Sequence, residues 1–213
     1  MRTDDLVDFL ASGITPVQHD VPARRFGIAM AVALLGSAAL MAKLFGVRPD
    51  LAAATHTLLF WGKFVFALVM SVGALVTLSR LARPGARVGM RGFTLLVPVT
   101  LVWIAGICVI ATAAPEHRMP DLLGASWSTC PFNITLLSIP GFIAVFWAVR
   151  GLAPTQLRRS GAACGLLASS IGTLVYCLHC PEMNPAFWSV WYVLGMLIPT
   201  FIGAMLGPRL LRW

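Results

Sequence analysis

Long apolar blocks alternate with short polar breaks along this chain. Six blocks approach the ~20 mainly apolar residues that a helix needs to cross the hydrocarbon core of a bilayer: 26–45, 56–79, 93–113, 132–150, 161–178 and 188–207. They take up most of the chain and leave no room for a second folded domain. The pattern predicts an all-α fold, an integral membrane bundle of six transmembrane helices over 26–213, preceded by a tail over 1–25.

The tail has a pattern of its own. Asp4, Asp5 and Asp8 are interleaved with Leu6, Val7, Phe9 and Leu10, which predicts a short amphipathic helix with an apolar stripe. Thr3 or Asp4 can cap it, acids in its first turn suit the helix dipole, and Gly13 and Pro16 end it. So short a segment cannot bury a core alone. A lone helix of this kind docks into a groove on a partner or lies on the bilayer surface. Surface helices favour Lys and Arg on their polar face, so the acidic face points to a protein partner with a basic surface.

Composition agrees with the blocks. Hydrophobic residues make up 58% of the chain and charged residues 11%, against about 25% charged in a soluble domain. A net charge of +8 would suggest nucleic acid in a soluble protein, but the map of the basic residues gives a plainer cause. Of the 16, twelve fall in alternate breaks: Arg2, Arg24 and Arg25; Arg80, Arg83, Arg87 and Arg91; Arg150, Arg158 and Arg159; Arg209 and Arg212. Arg48 and Arg118 lie in the opposite loops, and Lys43 and Lys63 within spans. Loops rich in Arg and Lys stay cytoplasmic, and these segments share one side only with six spans. Both termini are therefore expected in the cytoplasm of a bacterial inner-membrane protein, with no direct nucleic-acid binding. Arg24-Arg25-Phe26 resembles a twin-arginine export signal, but five further spans favour an uncleaved anchor.

Within the spans, Gly161, Gly165, Ser169, Thr173 and Cys177 recur every four residues, as do Gly195, Pro199, Gly203 and Gly207. Small residues at this spacing let helices approach closely in lipid. No span carries Asp or Glu, unlike an ion-coupled transporter. Lys63 is the one embedded charge of interest, about two turns into its span, and it is expected to snorkel toward water.

The candidate chemistry lies in the cysteines. Cys108 and Cys164 have no polar partner in sequence and read as small hydrophobes. Cys130, Cys177 and Cys180 fall at the outer helix ends, with His56, His117, His179 and Glu182 on the same face. Thiols there meet an oxidising compartment. Cys130 and Cys180 suit either a disulfide, if their Cα atoms lie within ~7 Å, or a soft metal ion, with His179 and either Cys177 or Glu182 completing the ligands. Cys177 fits packing equally well. No cofactor is required by any of these readings.

In order along the chain, several short motifs stand together: Asp4-Asp5-Leu6-Val7-Asp8-Phe9-Leu10 with Pro16-Val17, Lys63, Ser128-x-Cys130, Leu137-Ser138-Ile139-Pro140, Ala153-Pro154, His179-Cys180, Trp191-Tyr192, and a closing Gly207-x-Arg209-Leu210-Leu211-Arg212-Trp213. As a set they resemble the negative regulators of sigma F, six-pass membrane anti-sigma factors. The resemblance implies a cytoplasmic tail that holds an extracytoplasmic-function sigma factor. It also implies two outer cysteines, matching Cys130 and Cys180, that respond to heavy metal or oxidative stress. Cys108, Cys164 and Cys177 match no position of that pattern. Such a protein is not an enzyme. Two rival readings are a thiol-disulfide oxidoreductase coupled to quinone, which would need Cys108 for a second cysteine pair, and a metal transporter, which the lack of acidic residues in the spans disfavours.

Overall fold

A computed structural model describes residues 2–12, 20–83, 85 and 94–212. Among them all regular structure is helical. In chain order the helices are α1 (Thr3–Ser12), α2 (Val21–Leu44), α3 (Leu51–Ala54), α4 (Leu58–Leu81), α5 (Leu96–Thr112), α6 (Pro115–Leu123), α7 (Cys130–Leu137), α8 (Ile139–Arg150), α9 (Leu157–Tyr176) and α10 (Pro185–Leu210).

Each apolar block lies on a helix, but the helices differ in how well they suit a membrane. Among the described residues α2, α4 and α10 are long and apolar enough to cross, and α7 with α8 makes a fourth if the bent pair is one span. The α5 helix is apolar but has 17 residues. The α9 helix fails on composition: Arg158 and Arg159 stand in its first turn, and Ser160, Ser169, Ser170 and Thr173 dilute the rest. Its place in the molecule explains this. It is the axial helix, in contact with α2, α4, α7, α8 and α10, and most of it is buried. A helix wrapped by other helices does not need to be apolar toward lipid. The surrounding helices do: Val65, Val69, Leu101, Ile104, Leu197 and Phe201 are exposed. Water would penalise so continuous an apolar surface, and a bilayer would not.

The seam between α9 and α10 is made by glycine. A Cβ on Gly165 would come within 2.7 Å of the Pro199 carbonyl carbon, and one on Gly207 within 3.1 Å of Gly161 Cα. The two backbones are therefore in direct contact, as the four-residue spacing predicts.

The bend in the fourth block was not visible in its hydrophobic pattern. Helices α7 and α8 meet at 43° around Ser138. Pro140, in the first turn of α8, has no N–H to continue the ladder and its ring crowds the preceding turn. The N–H it lacks is the one that would have met Leu136 O. The next carbonyl, Leu137 O, lies at the break itself and accepts from Ser37 Oγ on α2 at 2.7 Å. Gly36 packs against Pro140 and Ala33 against Gly141, so α2 is seated directly on the break.

Two ends of the bundle are distinct. Cys130, Cys177 and Cys180 lie at one, the cysteine end, in a buried cluster with Met41, Tyr176, Phe187 and Tyr192. Arg25 lies at the other, the arginine end, against Trp147 of α8 at 5.4 Å from the ring centre.

Candidate functional site

The tail helix forms where the sequence predicts it. Its cap differs: Asp5 Oδ2 accepts from the Arg2 backbone N–H at 3.1 Å, the backward half of a capping box, so neither Thr3 nor Asp4 provides the cap. Asp4, Asp5 and Asp8 are exposed, and so are Leu6, Val7 and Phe9, the last at 75%. An amphipathic helix that leaves Leu6, Val7 and Phe9 uncovered has a surface suited to a partner. Gly13 and Pro16, expected to end the helix, lie outside the described residues, as do Arg87 and Arg91.

At the cysteine end three segments converge. Cys130 opens α7, its N–H donating to Ser126 O at 2.9 Å, and Cys177 closes α9, its N–H donating to Thr173 O at 3.0 Å. Cys180 follows in a turn, its N–H on Tyr176 O at 2.9 Å. All three side chains are fully buried, and all five cysteines are free thiols. The structure thus gathers the three cysteines expected on the outer face and leaves the other two elsewhere. Cys108 is exposed on α5, and Cys164 is buried in the separate core near the arginine end. The relay pair that an oxidoreductase would need is not formed.

The expected metal ligands are not assembled either. His179 is half-buried between Phe45 and Tyr176, and its Nδ1 faces Gly46 O at 3.0 Å, leaving only Nε2 available. Glu182 Oε1 accepts from the Ala125 N–H at 2.8 Å. Cys177 Sγ faces Lys63 O at 3.9 Å. Among the described residues no group of three or more His, Cys, Asp and Glu side chains is placed to hold a metal ion. Backbone partners from distant parts of the chain have taken the groups that were expected to complete the set. His56 and His117 are exposed.

Lys63 does not snorkel to water. It is fully buried, and its Nζ donates to Cys180 O at 2.8 Å and Glu182 O at 3.1 Å. The loop after α9 folds over α4 and meets the ammonium with carbonyls before it can reach solvent. A second cation joins it: Arg48 Nη1 donates to the same Cys180 carbonyl at 3.1 Å. Arg48 is held in turn by a two-point pair with Asp50, 2.7 and 2.6 Å. This pair raises the Arg48 pKa and lowers that of Asp50. The Arg48 N–H also donates to Leu178 O at 3.1 Å. The segment that carries Cys180 is therefore pinned at three carbonyls, those of Leu178, Cys180 and Glu182, by two cations from elsewhere in the chain.

Sequence reasoning passed over Arg48. The available signal was its position, one of two arginines in the outer loops with Asp50 two residues on. Tyr192 was visible only as part of a motif. It is fully buried, within electrostatic reach of Cys130, Cys177 and Cys180, and its hydroxyl has no hydrogen-bond partner of good geometry among the described residues.

Comparison with known proteins identifies the family. The family model for the negative regulator of sigma F matches residues 10–213. A probable anti-sigma-F factor NrsF of Azospira oryzae is 39% identical over 213 residues, covering all of both chains. The anti-sigma-F factor NrsF of Caulobacter vibrioides is 36% identical over 223 residues, again covering all of both. No solved structure matches. The relatives are named as anti-sigma factors, which are regulatory proteins and not enzymes. The chain belongs to the negative regulator of sigma F family.

Proposed function

We propose that this protein is an inner-membrane anti-sigma factor. In this reading six spans place both termini in the cytoplasm. The tail sequesters an extracytoplasmic-function sigma factor, and Cys130 and Cys180 on the outer face sense heavy metal or oxidative stress. The observation that carries the reading is full-length similarity to proteins named anti-sigma-F factors, joined to an exposed acidic helix with an uncovered apolar stripe. A sigma factor reads acidic DNA with basic surfaces, and a helix of this kind complements such a surface. The protein itself binds no nucleic acid and needs no resident cofactor; a metal ion at the thiols acts as a signal.

The gathering of Cys130 and Cys180 in one cluster with Cys177 supports the sensing half. Oxidation or metal capture at two thiols packed among carbonyl clamps and aromatic rings forces that cluster to repack. A coupling of ~3 kcal/mol between cluster and tail changes affinity for the sigma factor roughly 150-fold.

Two measurements test this. A peptide of residues 1–25 captures the cognate sigma factor, and Leu6→Glu/Leu10→Glu abolishes capture; equal capture by both peptides refutes the role of the stripe. In membranes, Cys130→Ser/Cys180→Ser keeps the sigma factor bound under cadmium or peroxide stress. Release undiminished in that variant refutes sensing by these thiols.

A further inference from the structure

Three attachments of α2 together have a consequence for how the two ends of the molecule communicate. At the cysteine end, the segment leaving α2 is bonded to the Cys180 loop through His179 on Gly46 O, the Arg48 N–H on Leu178 O and Arg48 Nη1 on Cys180 O. One turn into the helix, Met41 belongs to the same buried cluster as Cys130, Cys177 and Cys180. At its middle, α2 sits on the break of the α7–α8 pair, with Ser37 on Leu137 O and Gly36 against Pro140. Cys130 is the first residue of that pair. At the arginine end, Arg25 stacks on Trp147 and fills the space beside Gly151, where a Cβ would overlap the guanidinium. The chain then runs from the start of α2 through residues 13–20 to the tail helix.

We infer that α2 is the output rod of the protein: it takes up rearrangement at both cysteine-bearing segments and delivers it to the tail. The inference rests on the proposed sensing role of Cys130 and Cys180. The axial helix α9 also meets both segments, but its other end leads into the 151–156 loop, which has no covalent continuation to the tail. The α9–α10 seam, which spacing alone picks out as a route for a shift, is backbone locked on backbone. It has no slack for a small displacement and no covalent continuation to the tail.

The nature of the α2 attachments at the two cysteine-bearing segments suits this role. Phe26, Ala29 and Ala33 pack α2 on the core beside α8, but its links to the α7 break and to the Cys180 loop are single polar contacts. The break at Ser138 gives α7 a bend at which it can reorient without moving the whole span. When the Cys130 end of α7 moves, Leu137 O moves with it and Ser37 follows or lets go. When the Cys180 loop moves, its carbonyls leave Arg48, and Gly46 loses His179. Both events act on α2.

Hydrogen–deuterium exchange on the full-length protein in nanodiscs tests this directly. Methylmercury is the probe, with its uptake on Cys130 and Cys180 followed by mass and Cys130→Ser/Cys180→Ser as the blank. Modification speeds exchange about fivefold at the amides of residues 21–30, with a smaller change at residues 200–210 of α10. Ser37→Ala and Arg25→Ala each cut that response while methylmercury uptake stays the same. A response at the α10 end with residues 21–30 unmoved overturns the inference, and so does a full response retained in both variants. No sigma factor is present in this experiment. In a separate capture assay, a protein whose α2 responds but that binds no sigma factor refutes the anti-sigma reading and leaves the rod intact.

Discussion

The α9–α10 seam and the seat of α2 are both close helix contacts, but they are built from opposite materials. The seam is held by the absence of side chains: Gly161, Gly165, Gly203 and Gly207 bring two backbones together, with one polar link across it, Ser169 Oγ on Met196 O at 3.1 Å. The seat of α2 also has apolar packing, Ala29 and Ala33 among it, but it adds particular atoms, a serine hydroxyl on the Leu137 carbonyl and a guanidinium over an indole ring. Packing of the first kind has one good geometry and resists displacement. Packing of the second kind can be broken and remade one bond at a time. A regulator that answers chemistry at one end with motion at the other needs both, a fixed axis and an element that moves against it.

The comparison is broken most severely at the axis. Gly165→Leu drives a side chain into the Pro199 carbonyl, where no flexible group can give way. Overpacking of this kind costs about 3 kcal/mol, and backbone on both sides places the change at the upper end of that range. Unfolding in mixed micelles, followed by helical circular dichroism, is expected to show the loss. Near-wild-type stability would mean that α10 can slide on α9.

Lys63→Met acts locally. It leaves Glu182 O without its donor, a cost of about 1–3 kcal/mol for an orphaned buried acceptor. Removing a desolvated ammonium that has no carboxylate partner among the described residues offsets part of it. Global stability therefore changes little, while the Cys180 segment loses one of its two clamps. Cys177 and Cys180 are expected to react faster with a small maleimide in the variant, and Cys164, in the separate core, at an unchanged rate. Equal acceleration at all three would indicate general loosening.

Ser37→Ala removes one neutral hydrogen bond and leaves the buried Leu137 carbonyl without its side-chain donor, a cost of about 1 kcal/mol at the low end of the range for an orphaned acceptor. Its effect is expected on coupling more than on stability. A variant that lost stability and kept coupling would make Ser37 a packing residue only.

What could be read from the sequence follows from the range of each interaction. The apolar blocks and the tail stripe are local patterns, set by residues a few positions apart, and the helices form there. The small-residue spacing on α9 and α10 is also local, and the seam follows it. That Cys130, Cys177 and Cys180 share one end follows from counting spans. The destination of the Lys63 ammonium does not, because the carbonyls that meet it are 117 and 119 residues away, and Arg48 reaches one 132 residues away. His179 and Glu182 were expected as metal ligands because their types and spacing fit. Their backbone partners Gly46 and Ala125 belong to distant loops, and no periodicity signals that. The bend at Ser138 had a local cause in Pro140, but the apolar run around it reads equally well as one straight helix.

The smallest effect sharpens the comparison from the charged side. The Arg48–Asp50 pair aims Arg48 at the Cys180 carbonyl, and hydrogen bonding to Arg48 holds the Asp50 pKa below its usual 3.8. A carboxyl with a lowered folded-state pKa contributes stability above the unfolded value, and the contribution is lost as pH falls through the folded one. Nothing should change between neutral pH and about pH 4; below that, protonation of Asp50 releases Arg48. Asp50 is exposed, so the global cost is small and is screened by salt. The local consequence is that one clamp on Cys180 opens while Lys63 stays in place. Exchange at the amides of residues 178–183 should therefore rise below pH 4, beyond the intrinsic change for an unstructured peptide, and Asp50→Asn should show the same rise already at neutral pH. If Asp50→Asn leaves those amides protected, Arg48 is held by the Leu178 and Cys180 carbonyls without help from its carboxylate. The ion pair would then be incidental, and Lys63 alone would set how firmly the thiol loop is held.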